Sequence, residues 1–198
     1  MTVPPVAPSV VPYRTAVTAV TAGDLGASYH PGCPVGPDQL RAVTLTYWGF
    51  DGQVHSGQLV VHRDVVNPVV QVFHRLYDAH FPIRSMRPVS AFDGSDPESM
   101  AADNTSAFNC RAAVAAGPTH WSAHAYGKAI DVNTVENPYV EAGTVMPPAG
   151  SAFTDRTRIR PGMAVVGGTL VQAFTSIGWY WGGRWSDPDY QHFSSTGG

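Results

Sequence analysis

Segment 122–133 is the feature that most limits how this chain can fold. His124 stands before a turn at Gly127, and residues 129–133 then alternate between apolar and polar side chains as a β-strand does. That alternation places Asp131 on the face opposite its apolar neighbours. The segment can therefore aim an imidazole and a carboxylate at one point.

A second short motif near the end of the chain, Asp189-Tyr-Gln-His192, supplies another carboxylate and another imidazole. With His192 as a third ligand, His124 and Asp131 would complete a set of two nitrogens and one oxygen. Zinc uses such a set, with an open fourth position, when it activates water. The alternative is that His124 and Asp131 form a buried hydrogen-bonded pair that only positions the strand.

Length and charge limit the class of protein. A chain of 198 residues is long enough for one domain with a core of its own, and a formal net charge of -3 with dispersed basic residues does not suggest nucleic-acid binding. No apolar run is long enough for a membrane span, and the start lacks the features of a signal peptide, so we expect a soluble or already processed chain. Cys33 and Cys110 can form a disulfide or stay reduced, and their spacing does not decide between the two.

Local patterns predict an α+β fold, a small central antiparallel sheet flanked by helices. Residues 1–36 are rich in Pro, Val, Ala and Thr, and we expect an extended N-terminal arm with little regular structure there, followed by the domain at 37–198. Two β-prone runs, 41–50 and 56–65, predict a hairpin around Asp51-Gly52.

The remaining elements follow from periodicity and capping signals. Asn67 and Pro68 predict the start of an amphipathic helix, and Asp96-Pro97 that of a short helix. The other predicted elements, in chain order, are a strand at 83–92, a long loop at 134–168 that forms a wall or flap, a helix from 168 or 169 to 177, and an aromatic strand pair within 179–193.

Two motifs carry a resemblance to a known family: Ser122-x-His124-x-x-Gly127-x-Ala129-x-Asp131-x-Asn133 and Asp189-x-x-His192. On these residues the chain resembles the zinc DD-/LD-peptidases of the M15 family, which include VanY-type D-alanyl-D-alanine carboxypeptidases and L-alanyl-D-glutamate endopeptidases. The stretches 57–62, 104–111 and 178–185 are similar as well, so the resemblance covers roughly residues 30–194. It implies the hedgehog and DD-peptidase type of zinc site.

The resemblance also implies the roles of individual residues. His124, Asp131 and His192 would bind one zinc ion, and Asp189 would be the general base. Many family members have Glu at the position of Asp189, and Asp187 is the alternative base in this chain. A cation that steadies the oxyanion is expected from Arg111 or Arg87.

The implied substrate is the stem peptide of peptidoglycan. We expect Arg87, Ser122, Tyr126 and Trp181 to contact it, although Ser122 can instead cap the turn and Trp181 can instead belong to the core. The expected activity is that of a D-Ala-D-Ala carboxypeptidase, with an L-Ala-D-Glu endopeptidase or a non-catalytic zinc-containing binding module as alternatives. A monomer that acts outside the cell or at the cell wall, phage-encoded lytic enzymes included, fits this substrate.

Overall fold

The computed structural model describes residues 11–114 and 120–197, and its strands form three small antiparallel sheets. The strands in chain order are β1 (Thr15–Ala19), β2 (Leu40–Trp48), β3 (Val54–His62), β4 (Ala129–Asp131), β5 (Tyr139–Glu141), β6 (Thr144–Met146), β7 (Tyr180–Trp181) and β8 (His192–Ser194). The sheets have the orders β1-β2-β3, β4-β8-β7 and β5-β6. The helices are α1 (Ala22–Leu25), α2 (Val66–Asp78), α3 (Asp96–Ala101) and α4 (Thr169–Thr175), and short 3-10 turns join several elements. The predicted α+β class is confirmed.

The predicted hairpin is β2 and β3, paired from Leu40 opposite His62 to Trp48 opposite Val54. Gly52 in the connecting turn has a φ of 71°, a left-handed conformation that glycine adopts without strain. Val43, Leu45 and Leu59 are fully buried, because alternate residues of both strands face the core.

Helix α2 covers this hairpin with the apolar stripe that the sequence predicts. It begins at Val66, so Asn67 lies inside its first turn and is not the cap. Phe73 of α2 meets Phe174 of α4 edge to face, and Phe174 stacks on Phe193 of β8 with ring centroids 4.2 Å apart. The core therefore joins the hairpin, both helices and the sheet that contains His192.

Two expectations about the first half of the chain are wrong. Within residues 11–36, β1 pairs with β2 and Leu25 of α1 is buried, so this part is neither irregular nor detached. Residues 1–10 lie outside the described part, and the division of the chain at residue 36 stays a prediction. Segment 83–92 is not a strand: Met86 makes one isolated bridge with Thr105, and a 3-10 turn follows at Val89–Phe92.

The long loop expected at 134–168 contains regular structure. Strands β5 and β6 form a small hairpin inside it, and Pro148–Phe153 forms a 3-10 helix. The predicted helix is α4, which starts after Gly168, and the predicted aromatic strand pair is β7 and β8. Among the described residues no helix has the length and apolar character needed to cross a membrane.

The two cysteines form a disulfide between Cys33 and Cys110, with Cα atoms 5.8 Å apart. The bond ties the loop after α1 to the extended segment that leads into the 122–133 motif. His30 lies beside it, with Nε2 3.4 Å from Cys110 Sγ.

Candidate metal centre

Strand pairing brings two of the predicted ligands together. Asp131 on β4 stands directly opposite His192 on β8, so both side chains leave the same face of the sheet. On the other edge of β4, Asp131 exchanges two backbone hydrogen bonds with Ser106, at 2.9 and 3.0 Å. Because β4 is held on both sides, the direction of the Asp131 carboxylate is set by the backbone. Ile130 and Val132 point the opposite way, into the core, as predicted.

The third ligand comes from the 3-10 turn Ala123–Tyr126 just before β4. Ser122 caps this turn, since its hydroxyl oxygen accepts the backbone N–H of His124 at 3.2 Å. Gly127 ends the turn with a φ of 63°, and its carbonyl oxygen accepts the N–H of His62 at 2.8 Å. A Cβ on Gly127 would stand 2.7 Å from the His62 nitrogen, so only glycine lets the turn pack this closely on β3.

The three side chains converge at short range in the interior. His124 Nε2 lies 3.3 Å from one carboxylate oxygen of Asp131, and His192 Nδ1 lies 3.2 Å from the other. The two ring nitrogens are 3.1 Å apart, and all three residues are at most 6% exposed. The predicted grouping of His124, Asp131 and His192 is therefore present in the structure.

Burial and charge act in opposite directions on these groups. Burial alone raises the pKa of Asp131, but the two histidines outweigh it and hold that pKa well below its ordinary value. Burial likewise lowers the pKa of His124, and the Asp131 carboxylate outweighs this and leaves that pKa raised. The cluster thus favours the charged form of the Asp131 carboxylate, with a positive charge next to it.

The donor atoms fit a metal ion. Nδ1 of His124 lies 2.6 Å from the carbonyl oxygen of Ala107, which only accepts, so this nitrogen carries a proton. With an ion bound, the ring would be neutral and Nε2 would present its lone pair to the cluster. The ligand atoms of His124, Asp131 and His192 all lie within 4.8 Å of one another and could hold an ion. Three converging lone-pair donors repel one another unless a cation stands between them, and two imidazoles with one carboxylate are a set that zinc accepts.

Asp189, the predicted base, lies at the start of the turn into β8. The backbone N–H of His192 donates to the Asp189 carbonyl at 3.3 Å. The backbone N–H of Asp189 in turn donates to the Gly182 carbonyl at 3.1 Å. A Cβ on Gly182 would stand 2.8 Å from the Asp189 carbonyl oxygen, so the absence of a side chain permits this approach. Burial, and then the charge of Asp131, raise the pKa of Asp189 to about 7.

Some of the buried polar atoms without a partner belong to the predicted site residues. Among the described residues seven buried side-chain atoms make no hydrogen bond, and three of them are Oδ1 of Asp189, Nε2 of His192 and Nε of Arg111. Buried polar groups are normally satisfied, and those that are not often mark a binding or catalytic site. The unpaired atoms of His192 and of Asp189, three residues before it, favour a place that accepts water or substrate.

Of the two candidate cations, Arg111 is the one whose backbone contacts the motif that contains His124: its carbonyl oxygen accepts the N–H of Ser122 at 3.1 Å. Nη2 of Arg111 also forms an ion pair with Asp96 at 2.8 Å. The guanidinium of Arg87 instead stacks on the ring of Phe92, 4.9 Å from its centroid.

The remaining predicted residues differ in their surroundings. Ser122 caps the turn before His124, and Tyr126 in that turn is 39% exposed. Trp181 is buried, and its indole N–H donates to the Tyr190 carbonyl at 2.9 Å, so it belongs to the core. Asp187 is exposed and accepts the N–H of Ala142. Substrate contacts by Arg87, Ser122, Tyr126 and Trp181 stay predictions.

Aromatic side chains border the cluster on one side. The Trp185 ring is 5.3 Å from the His192 ring and 38% exposed. It also lines a cavity of about 410 Å³ together with Tyr180, Trp181 and Arg184. The cavity and the candidate metal centre therefore share Trp185 as a wall.

Two contributions to the site were missed from the sequence. The carbonyl of Ala107 orients His124, and Asp96 pairs with Arg111. The Asp96-Pro97 signal predicts the start of α3 correctly, but no local pattern connects it with Arg111.

The fold and the cluster together define a class: a small α+β domain with a buried His/Asp/His group and, three residues before His192, an aspartate with one unpaired carboxylate oxygen. Residues 115–195 match the M15 peptidase family model described as D-alanyl-D-alanine carboxypeptidase. The match spans 81 of the 198 residues, and over that segment it confirms the resemblance predicted from the motifs. It covers His124, Asp131, Asp189 and His192. No curated protein and no solved structure matches the chain.

Proposed function

We propose that this protein is a zinc-dependent peptidase that hydrolyses an amide bond in peptidoglycan stem peptides, as a D-Ala-D-Ala carboxypeptidase. The observation that carries the proposal is the convergence of His124, Asp131 and His192 within 4.8 Å. Asp189, the candidate base, stands at the edge of this cluster. The description of the matching family names the same activity.

The three converging residues would hold the zinc ion through His124 Nε2, His192 Nδ1 and the Asp131 carboxylate. When bound, zinc supplies Lewis-acid chemistry, which polarises a carbonyl group and makes a water molecule more acidic. The Ala107 carbonyl keeps the proton of His124 on Nδ1, so that the other ring nitrogen stays available as a ligand.

Asp189 is the proton carrier in this proposal. Its Oδ1 is buried and, within the described part of the chain, unpartnered, so it can accept a proton from the attacking water and pass it to the leaving amine. The backbone bonds that Asp189 makes with Gly182 and His192 fix the start of its side chain. A general base of this kind typically contributes about 10²- to 10⁴-fold to a rate.

Arg111 supplies positive charge near the reacting carbonyl. In the proposed reaction it would stabilise the negative charge that develops on the carbonyl oxygen, or grip the terminal carboxylate of the substrate. Both uses favour a fixed guanidinium with a free donor, and its buried Nε is such a donor.

The proposed location is outside the cell or at the cell wall. A substrate in the wall requires it, and the disulfide between Cys33 and Cys110 is of the kind that persists in oxidising surroundings. A monomeric state stays a prediction.

The test combines metal analysis with product identification. Purified chain should contain one zinc ion, His124→Ala should lose it, and digestion of muropeptides should release a terminal D-Ala, which mass spectrometry detects. Release of fragments cut between L-Ala and D-Glu would assign the endopeptidase activity in place of the carboxypeptidase. Intact muropeptides after incubation with zinc-loaded protein would refute catalysis and leave a binding module.

Two matched variants test the base. Asp189→Asn should keep the zinc and lose at least about 100-fold in kcat, because the amide cannot take the proton. Asp187→Asn, two positions earlier on an exposed side chain, should behave like the parent chain. The reverse pattern would move the role of base to Asp187.

A further inference from the structure

Asp96, the first residue of α3, has no role in the reaction proposed above, yet its carboxylate lies 2.8 Å from Nη2 of Arg111. The two side chains are 19% and 25% exposed, so solvent screens this ion pair less than it screens a pair on the surface. An exposed Arg–Asp pair contributes little to stability, whereas a partly buried pair keeps the guanidinium in one orientation.

Asn109 ties the carboxylate to the candidate metal centre from a second side. Its side-chain NH₂ donates to Asp96 at 3.5 Å and to the Gly94 carbonyl at 3.3 Å. Its backbone N–H donates to the His124 carbonyl at 3.3 Å. A continuous set of contacts therefore runs from the start of α3 through Asn109 to a candidate zinc ligand.

The guanidinium of Arg111 is held at two points and open at a third. Nη2 pairs with Asp96, Nη1 donates to the Ala112 carbonyl at 3.3 Å, and Nε is buried without a partner among the described residues. Because the guanidinium is planar, fixing two of its nitrogens fixes the direction of the third.

We propose that Asp96 is a positioning residue that holds the Arg111 guanidinium in the orientation in which it meets the negative charge of the substrate. The inference rests on the proposed function, since it concerns the same site. It assigns Asp96 an effect that acts only through Arg111 and does not involve the metal ligands.

A double-mutant cycle tests this dependence. Asp96→Asn keeps the size of the side chain and removes its charge, and we expect kcat/KM on a stem peptide ending in D-Ala-D-Ala to fall about 10-fold with zinc content unchanged. Arg111→Ala should lose more, and the double variant should be no worse than Arg111→Ala alone. Losses that multiply in the double variant would show that Asp96 acts independently of Arg111 and would overturn the proposal.

Two further variants separate positioning from a general effect on the fold. Asp96→Glu keeps the charge and should recover part of the activity that Asp96→Asn loses. Glu98→Gln, in the same helix but exposed, should leave kcat/KM and the urea midpoint of unfolding unchanged. A loss in Asp96→Glu as large as in Asp96→Asn would refute the role assigned to the charge.

A spectroscopic measurement makes the inference independent of turnover. The Nε–H signal of Arg111 in zinc-loaded protein, assigned with Arg111→Lys, should be slow to exchange with solvent and should broaden or exchange at least 10-fold faster in Asp96→Asn. An unchanged signal would overturn the positioning role even in an active enzyme. If the parent chain cleaves no muropeptide but the signal changes as described, the proposed function fails and the positioning of Arg111 by Asp96 stands.

Discussion

Glu136 gives this protein a pH-dependent stability that can be measured without any substrate. The residue is 3% exposed, one of its carboxylate oxygens lies 3.5 Å from Nη2 of Arg84, and the other is buried without a partner among the described residues. Burial, and then the neighbouring carboxyl group of Asp103, raise the pKa of Glu136 to about 8. The folded chain therefore keeps the carboxyl group protonated at neutral pH.

The direction of the effect follows from proton linkage. Below the pKa of the unfolded chain, 4.5, Glu136 is protonated in both states, and its contribution to stability is fully present. Between that value and about 8 only the folded chain holds the proton, so stability falls by about 1.4 kcal/mol per pH unit. The total loss is on the order of 5 kcal/mol, a large share of the ~5–15 kcal/mol typical of a domain.

The assay is urea unfolding at several pH values from 5 to 9, for the parent chain and for Glu136→Gln. Titrating groups that do not interact with Glu136 cancel in the difference between the two, so this difference reports on Glu136 and its neighbour Asp103. We expect the stability of the parent chain relative to Glu136→Gln to fall steadily up to about pH 8 and then to level off. Glu98→Gln, an exposed residue, serves as the control and should follow the parent chain. Parallel curves for the parent chain and Glu136→Gln would refute the reasoning.

Two further predictions concern covalent and backbone constraints. Replacing both Cys33 and Cys110 by Ser opens a link across 77 residues and should lower the free energy of unfolding by about 4 kcal/mol, measured in urea; a loss below ~1 kcal/mol would contradict the loop-entropy argument. Gly127→Ala combines a positive φ with a Cβ 2.7 Å from a backbone nitrogen, whereas Gly143→Ala has a positive φ and no atom within 4 Å. The first variant should therefore be less stable than the second by about 2 kcal/mol, and equal urea midpoints would exclude the close contact as the cause.

Elements with a buried face could be predicted from the sequence, and elements without one could not. Helix α2 shows its apolar stripe because one side packs on the core. Every residue of Thr15–Ala19 is exposed, so β1 has no apolar alternation, and only its backbone pairing with β2 makes it a strand. Segment 83–92 has apolar residues that are buried but prolines beside them, and a chain interrupted by Pro82 and Pro88 cannot form a full hydrogen-bonded ladder.

The candidate site divides in the same way. The three candidate metal ligands and Asp189 could be predicted because two short motifs keep them at fixed spacings in the chain. The roles of Ala107 and Asp96 had no such signal, since a carbonyl oxygen is present at every residue and an aspartate at the start of a helix is common. Their partners, His124 and Arg111, lie 17 and 15 positions away.

The sequence by itself determined the turn at Gly127, the alternation that turns Asp131 away from the core, and the types of donor that the centre presents. These depend on backbone sterics and on side-chain chemistry, which act over a few residues. Only the tertiary structure decided that Arg111 pairs with Asp96, that Nδ1 of His124 meets the Ala107 carbonyl, and that Asp131 stands opposite His192. These depend on contacts between segments far apart in the chain, and such contacts are settled by how the whole core packs.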